Sequence, residues 1–301
     1  MEIRRIEEIS LFEDQSIVTI GAFDSIHIGH EKLLNEMLKH KKDSGYRYKT
    51  IVFTFDMHPD YYLHKRNNNG YLQSKKEKNE IFKNYEIDYL VILGKDILGY
   101  SYKEFHKEIL NKVNTKTVVV GSDFVYGLNK EGNVNTLKED YNVIDLLAVN
   151  DNGQKISSTE IRNLLEQGKV EEASKLLGKP YSVSGVVIRG AGLGRKIGIP
   201  TANISCLEIG VKIADGVYGT IVKVSGEKYL GITNIGKNPT VNTQVESRIE
   251  THIIDFDGDL YGKNIEIDFI KYIRGEIKFA NVDDLVKMVK KNIEDFKKGI
   301  N

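Results

Sequence analysis

The first half of the chain alternates between short continuous apolar runs and stretches whose apolar residues recur every three or four positions. Ser16–Phe23, Thr50–Phe55, Tyr89–Leu93, Lys116–Gly121 and Tyr141–Leu147 read as strands, most of them without a polar face. Between them Glu31–Lys42, with Leu33, Leu34, Met37 and Leu38 on one side, Lys75–Tyr85 and Tyr102–Val113 read as helices. Strands separated by helices predict right-handed crossovers and a parallel sheet. Near residue 180 the pattern changes. Val183–Ile188, Gly216–Ser225, Glu227–Thr233, Ile249–Phe256 and Ile265–Tyr272 are short β-type runs with glycine turns, which predicts a small antiparallel barrel. A last helix, Val282–Lys298, aligns Val282, Leu285, Val286, Val289, Ile293 and Phe296 for packing on that barrel. The expected organisation is an α/β domain over residues 1–180 and a β domain over residues 181–301.

Composition narrows the function. A chain of 301 residues accommodates about two domains. No apolar run is long enough for a membrane span and the first residues do not form a signal peptide, so a cytoplasmic protein is expected. Cys206 is the single cysteine, which excludes an internal disulfide and suggests an inert side chain. The 43 basic and 43 acidic side chains cancel, which removes the charge excess of a general nucleic-acid binder. Small phosphorylated ligands remain.

The stretch Arg189–Asn203 suits such a ligand. Gly190, Gly192, Gly194 and Gly198 let backbone N–H groups approach it, while Arg189, Arg195 and Lys196 supply positive charge. Pro200 stiffens the exit from the loop, and Thr201 and Asn203, two apart in extended backbone, place two oxygens on one face. Hard oxygen donors beside a phosphate loop suggest Mg²⁺. The order of residues is neither that of a Walker loop nor that of a dinucleotide fingerprint.

A second phosphate site is suggested by Gly21–His30, which joins a strand's carboxyl end to a helix. His27 and His30 flank Gly29, within reach of one anion at the helix N-terminus. A zinc pair and two purely structural histidines are the competing readings. His58 and Pro59 follow a strand at the same sheet edge, and the polar run His64–Gly70 reads as a loop or a lid over phosphates. Asp123, with Phe124 and Tyr126, follows the strand ending at Gly121. Ser157 and Glu160 have the spacing of a capping box, and Ser158, Thr159 and Arg162 add two hydroxyls and a guanidinium at the positive end of that helix.

These motifs carry a family resemblance. Gly-Arg-Lys-Ile-Gly-Ile-Pro-Thr-Ala-Asn, ending at Asn203, resembles the ATP-binding motif of riboflavin kinases. The Gly21-x-Phe23-Asp24-x-x-His27-x-Gly29-His30 run, the segment Gly121–Gly127 and Ile156-Ser-Ser-Thr-Glu-Ile-Arg162 resemble FAD synthetases of the nucleotidyltransferase class. Almost the whole chain therefore resembles bacterial bifunctional riboflavin kinase/FAD synthetases. That family has glycine where this chain has Ser25.

The resemblance implies a nucleotidyltransferase-type Rossmann-like domain followed by a riboflavin kinase-like barrel. It implies that riboflavin, FMN, FAD and ATP are the ligands, with Mg²⁺ as the metal and no nucleic acid or membrane involved; a monomer and a weak homo-oligomer both stay open. In the first domain it assigns Gly21, Phe23, Asp24, His27, Gly29, His30, Asp123, Ser158, Thr159 and Arg162 to ATP, with His27 and His30 catalytic. In the second it assigns Gly190, Gly192, Gly194, Arg195, Gly198, Pro200, Thr201 and Asn203 to ATP and Mg²⁺. Glu250 is the expected base toward the flavin hydroxyl, Arg274 contacts the flavin, and His252, on the same face as Glu250, is read as structural. Two alternatives are a riboflavin kinase whose first domain has lost transfer activity and a flavin-binding regulator without turnover.

Overall fold

In the computed structural model, residues 1–63, 72–147, 150–151, 154–190, 192–205, 211, 213–237 and 247–300 are described. The polar run His64–Gly70, Cys206 and the end of the stretch Asn234–Thr240, whose sequence reads as a loop, lie outside them, whereas Asn234–Lys237 end a strand. Contacts divide the chain into two units, Met1–Ser158 and Thr159–Asn301.

The first unit contains a six-stranded, all-parallel sheet. Its strands are β1 (Glu2–Arg5), β2 (Ser16–Ile20), β3 (Lys49–Phe55), β4 (Tyr89–Leu93), β5 (Thr115–Gly121) and β6 (Asn142–Leu146), in the order β1-β4-β3-β2-β5-β6. Both faces are covered, so each strand sends alternate residues into different cores. Val18, Ile51, Phe53, Val118 and Val120 enter one, whereas Ile17, Val52, Leu90 and Val119 enter the other with Leu34 and Met37 of α1 (Ile28–Asp43). The strand β1 escapes the pattern because all its residues are exposed at the sheet edge.

The helix expected over Tyr102–Val113 is broken into an α turn at Tyr102–Phe105, a π turn at His106–Leu110 and a 3₁₀ turn at Asn111–Val113. The π turn seats the buried His106 ring between Asp140 Oδ2, 2.7 Å from Nδ1, and the Tyr126 hydroxyl, 2.5 Å from Nε2.

Helix α2 (Ser158–Glu166), which begins at the last residue of the first unit, and α3 (Val170–Leu177) in the second unit precede the barrel. They pack on it: the Ala214 N–H donates to Leu165 O at 3.0 Å, the Tyr272 N–H donates to Glu171 Oε2 at 3.3 Å, and a Cβ on Gly168 would lie 3.3 Å from the Tyr272 ring. These contacts place the division after Ser158, ahead of the position near residue 180 where the hydrophobic pattern changes.

The barrel closes through β7 (Tyr181–Ile188), β8 (Ala202–Ser205), β9 (Gly216–Val224), β10 (Glu227–Lys237), β11 (Ser247–Ile253) and β12 (Asn264–Arg274), in the antiparallel order β7-β8-β11-β10-β9-β12. The expected antiparallel barrel is therefore present, with β8 as a strand the sequence pattern did not isolate. Ile249, Thr251 and Ile253 are buried, and the Thr251 hydroxyl accepts a 2.9 Å hydrogen bond from Thr233, itself 2.9 Å from Thr220. By alternation Arg248, Glu250 and His252 face outward.

The helix α4 (Val282–Ile300) docks Phe296 against Gly219, where a Cβ would lie 2.3 Å from the ring, so only glycine admits the helix. Its stripe is shorter than expected, because Val282 is exposed. No helix among the described residues is long and apolar enough to cross a membrane.

Candidate functional site

In the first unit the strand order reverses between β2 and β5, and a cavity of about 350 Å³ opens beyond their carboxyl ends. The Gly21–His30 loop forms one wall and is pinned on several sides. The Gly21 N–H donates to Phe53 O at 3.1 Å, Thr54 Oγ1 donates to Ala22 O at 3.0 Å, and Gln73 Oε1 accepts from the Ile26 N–H at 2.7 Å. Asp24 is buried, its Oδ1 accepting from the Leu72 N–H at 3.0 Å. Phe23 takes a left-handed φ of 45°, an uncommon conformation for a bulky residue that turns its ring into the core beneath His30.

His27 is the N-cap residue of α1, and its ring stacks on His30 with centroids 3.9 Å apart. Burial, and then the neighbouring His27, hold the His30 pKa well below the ordinary histidine value, against a backbone contact to Ser25 that raises it. His30 is therefore neutral at pH 7 and has one N–H to donate. Its buried Nδ1 has no hydrogen-bond partner among the described residues.

Gly21, Phe23, Asp24, His27, Gly29, His30, Asp123 and Ser158 all line this cavity, joined by His58 and Phe124. Thr159 and Arg162 do not line it and belong to the second unit. Ser25, glycine in the resembled family, is fully buried with its hydroxyl 3.1 Å from that of Ser158. The serine thus ties the loop to the start of α2 and keeps its side chain out of solvent. Among the described residues no group of three or more His, Cys, Asp or Glu side chains could hold a metal.

The second unit carries a cavity of about 410 Å³ on the outer face of the barrel. Register builds it: Glu250 on β11 stands directly opposite Asn203 on β8 and opposite Asn234 on β10. Gly192, Gly194, Thr201, Glu250 and Arg274 line it. Gly190, Arg195, Gly198, Pro200 and Asn203 do not line it directly. The Gly190 backbone lies against the buried Asn203 amide, where a Cβ would come 2.2 Å from Nδ2. Gly198 has a left-handed φ of 75°. The Pro200 carbonyl accepts a 2.8 Å hydrogen bond from His252 Nδ1.

His252, read as structural from the sequence, lines the cavity and steadies the Pro200 turn. Arg274 Nε donates to Asn292 Oδ1 at 3.1 Å and its guanidinium lies 5.7 Å from the Phe279 ring centre, so α4 fixes its position. Sequence reasoning missed Arg248, Asn234, Glu276 and Phe279, which also line the cavity. Arg248 Nε and Nη2 donate to Asn203 Oδ1 at 3.1 and 3.0 Å, and Nη2 also donates to Glu250 Oε1. The signal for it was its position two residues before Glu250 on a strand.

The donor set suits a hard cation. The Asn203 oxygen is already turned toward a positive charge, and the Thr201 hydroxyl lies beside the bare face of Gly194, 3.3 Å from where its Cβ would stand. Two neutral oxygens next to one carboxylate leave most of the coordination shell to water and phosphate, as Mg²⁺ prefers.

Known proteins match the chain in two parts. The FAD synthetase family matches residues 10–160 and the riboflavin kinase family residues 177–300. A curated relative, the bifunctional riboflavin kinase/FMN adenylyltransferase of Buchnera aphidicola subsp. Schizaphis graminum, is 36% identical over 99% of this chain and 98% of its own. The protein of the same description from Bacillus subtilis is 32% identical over 93% of this chain and 91% of its own. A crystal structure described as a macrolide-efflux protein from Streptococcus pneumoniae superposes with a TM-score of 0.91 at 31% identity, covering 99% of both chains. With near full-length identity above 30% and both component families in order, the chain belongs to the bifunctional riboflavin kinase/FMN adenylyltransferase family.

Proposed function

We propose that the barrel cavity phosphorylates riboflavin and the sheet cavity adenylylates the product, so that one chain makes FAD from riboflavin and two molecules of ATP. The observation that carries this reading is the register of Asn203, Glu250 and Asn234 across three adjacent strands beside the Gly190–Gly198 loop. In the barrel site Glu250 takes the proton of the ribityl 5′-hydroxyl as that oxygen attacks the γ-phosphorus of ATP, giving FMN and ADP. The loop amides, with Arg195 nearby, cradle the phosphates, and Arg274 holds the flavin end. Thr201 and Asn203 would hold Mg²⁺, which neutralises charge on the transferring phosphate when bound.

In the sheet site the FMN phosphate oxygen attacks the α-phosphorus of a second ATP and pyrophosphate leaves. No proton need move at the reacting oxygens, so the protein's task is positioning and charge stabilisation. His27 and His30 donate N–H groups to the phosphates at the N-terminus of α1, where backbone amides add to them. Gly21, Phe23, Asp24, Gly29, Asp123 and Ser158 shape the nucleotide site. The presence of Glu250 beside both oxygen donors favours turnover over a flavin-binding regulator.

The test is a split assay. Glu250→Gln should lower FMN formation by about 10²–10⁴-fold, the usual worth of a general base, and leave FAD formation from supplied FMN intact. His30→Ala should do the reverse. A variant that lost both reactions equally while remaining folded would refute the division of labour.

A further inference from the structure

We infer that Arg248 is a built-in counter-cation for the kinase metal position, a positioning residue that keeps bare divalent metal out of the nucleotide-free site. The inference rests on the reading that Asn203 and Thr201 hold Mg²⁺ beside Glu250. Its own observation is separate: both Nε and Nη2 of Arg248 converge on Asn203 Oδ1, and Nη2 is shared with Glu250. The same oxygen expected to face the metal thus faces a guanidinium.

Strand geometry makes this arrangement persistent. Arg248 and Glu250 are two apart on β11 and so project from one face, and Asn203 sits directly across from Glu250 on β8. Asn203 is buried and backed by Gly190, so its amide cannot turn away without meeting backbone. Arg248, by contrast, reaches its partners with a side chain that is 37% exposed and has room to move. The other charged or titratable groups lining the cavity are His252, Arg274 and Glu276.

The charge count supplies the mechanism. Glu250 and Arg248 sum to zero around a neutral amide, so a bare divalent cation would meet a guanidinium and no net negative charge. Nucleotide phosphates change both terms: they carry the metal's compensating charge and offer the guanidinium a bidentate partner. Arg248 can then leave Asn203 and Glu250 for phosphate as the metal enters. The metal therefore arrives with the nucleotide, and Glu250 is freed to act as a base only when the phosphate donor is present.

The test uses Mn²⁺ alone as the probe, followed by electron paramagnetic resonance on the full chain without nucleotide. Wild type should bind Mn²⁺ at this position too weakly to detect at millimolar concentration. Arg248→Met should bind it at least tenfold more tightly, Arg248→Lys should stay close to wild type, and adding Asn203→Ala to Arg248→Met should abolish the new site. Thermal melting verifies that each variant is folded. Unchanged Mn²⁺ binding in folded Arg248→Met, or a new site that survives Asn203→Ala, would overturn the inference. If Arg248→Met unfolds, Arg248→Gln takes its place with the same expected outcomes. Failure of the underlying reading has a different appearance, namely full FMN formation by Glu250→Gln or Asn203→Ala.

Discussion

Replacing Gly190 by alanine adds one methyl group in the kinase unit, and its consequence follows from a single distance. The new Cβ would lie 2.2 Å from Asn203 Nδ2, 2.6 Å from Cγ and 2.8 Å from Oδ1, whereas ordinary contact begins near 3.4 Å. The amide must therefore retreat by about 1 Å. Gly190 does not have a left-handed φ, so the effect is displacement of Asn203 and not backbone strain. A misplacement of about 1 Å in a reacting array costs about 10²-fold in rate, or about 2.7 kcal/mol. We expect kcat/KM for riboflavin phosphorylation to fall by about that factor, while adenylylation of supplied FMN stays at the wild-type rate. Gly226→Ala, in the turn between β9 and β10 and outside the cavity, is the control: no atom lies within 4 Å of its Cβ, and its φ of 91° adds only about 1 kcal/mol of backbone strain. The assay is separation of riboflavin, FMN and FAD over time for the three proteins. Gly190→Ala within about threefold of wild type in FMN formation would refute the placement of Asn203 at the phosphate-transfer site.

Three further expectations concern the adenylyltransferase unit. Burial, opposed by Asp24, lowers the Lys78 pKa from 10.5 to about 8. The folded state then binds fewer protons than the unfolded chain between about pH 8 and 10.5, so this group's cost of about 3 kcal/mol is present below pH 8 and is relieved as pH rises through that window. Lys78→Met should flatten the rise in urea-unfolding free energy over that range, and an identical slope in both proteins would count against the burial argument. Tyr126→Phe leaves the buried His106 Nε2 without its hydroxyl partner and should cost about 1–3 kcal/mol in the same measurement, with riboflavin phosphorylation unchanged; a cost below about 0.5 kcal/mol would contradict it. Ser25→Gly should retain FAD formation within a few-fold, because the serine hydroxyl is spent on Ser158; a gain of tenfold or more would show that the serine restricts the site.

Several features were readable because local pattern and tertiary role coincide. The fully buried strand β2 and the buried Thr117–Val120 stretch of β5 present no exposed face, so their apolar runs announce a covered sheet, and the loops at their carboxyl ends inherit the ligand position. The alternation in β11 likewise separates inward Ile249 and Thr251 from outward Glu250. What could not be read depends on partners far away in the chain. Arg248 is one arginine among many until β8 and β11 pair and bring Asn203, 45 residues earlier, under its guanidinium. The break in the Tyr102–Val113 helix depends on His106 meeting Asp140 and Tyr126 across 34 and 20 residues. The strand β1 has an exposed, polar sequence whose only reason to be extended is the free edge of β4. In the same way α2 and α3 look like the end of the first domain in sequence, whereas Leu165 O accepts from the Ala214 N–H and Glu171 accepts from the Tyr272 N–H, both far along the chain.

The central claim is that two independent sites on one chain act in sequence, and a complementation experiment tests it most directly. Glu250→Gln and His30→Ala are each incubated with riboflavin, ATP and Mg²⁺, and then mixed in equal amounts under the same conditions. The account predicts no FAD from Glu250→Gln, accumulation of FMN without FAD from His30→Ala, and restored FAD formation in the mixture as FMN released by one protein is consumed by the other. A mixture that makes no FAD, although each variant keeps its own half-reaction, would contradict two independent sites exchanging free FMN.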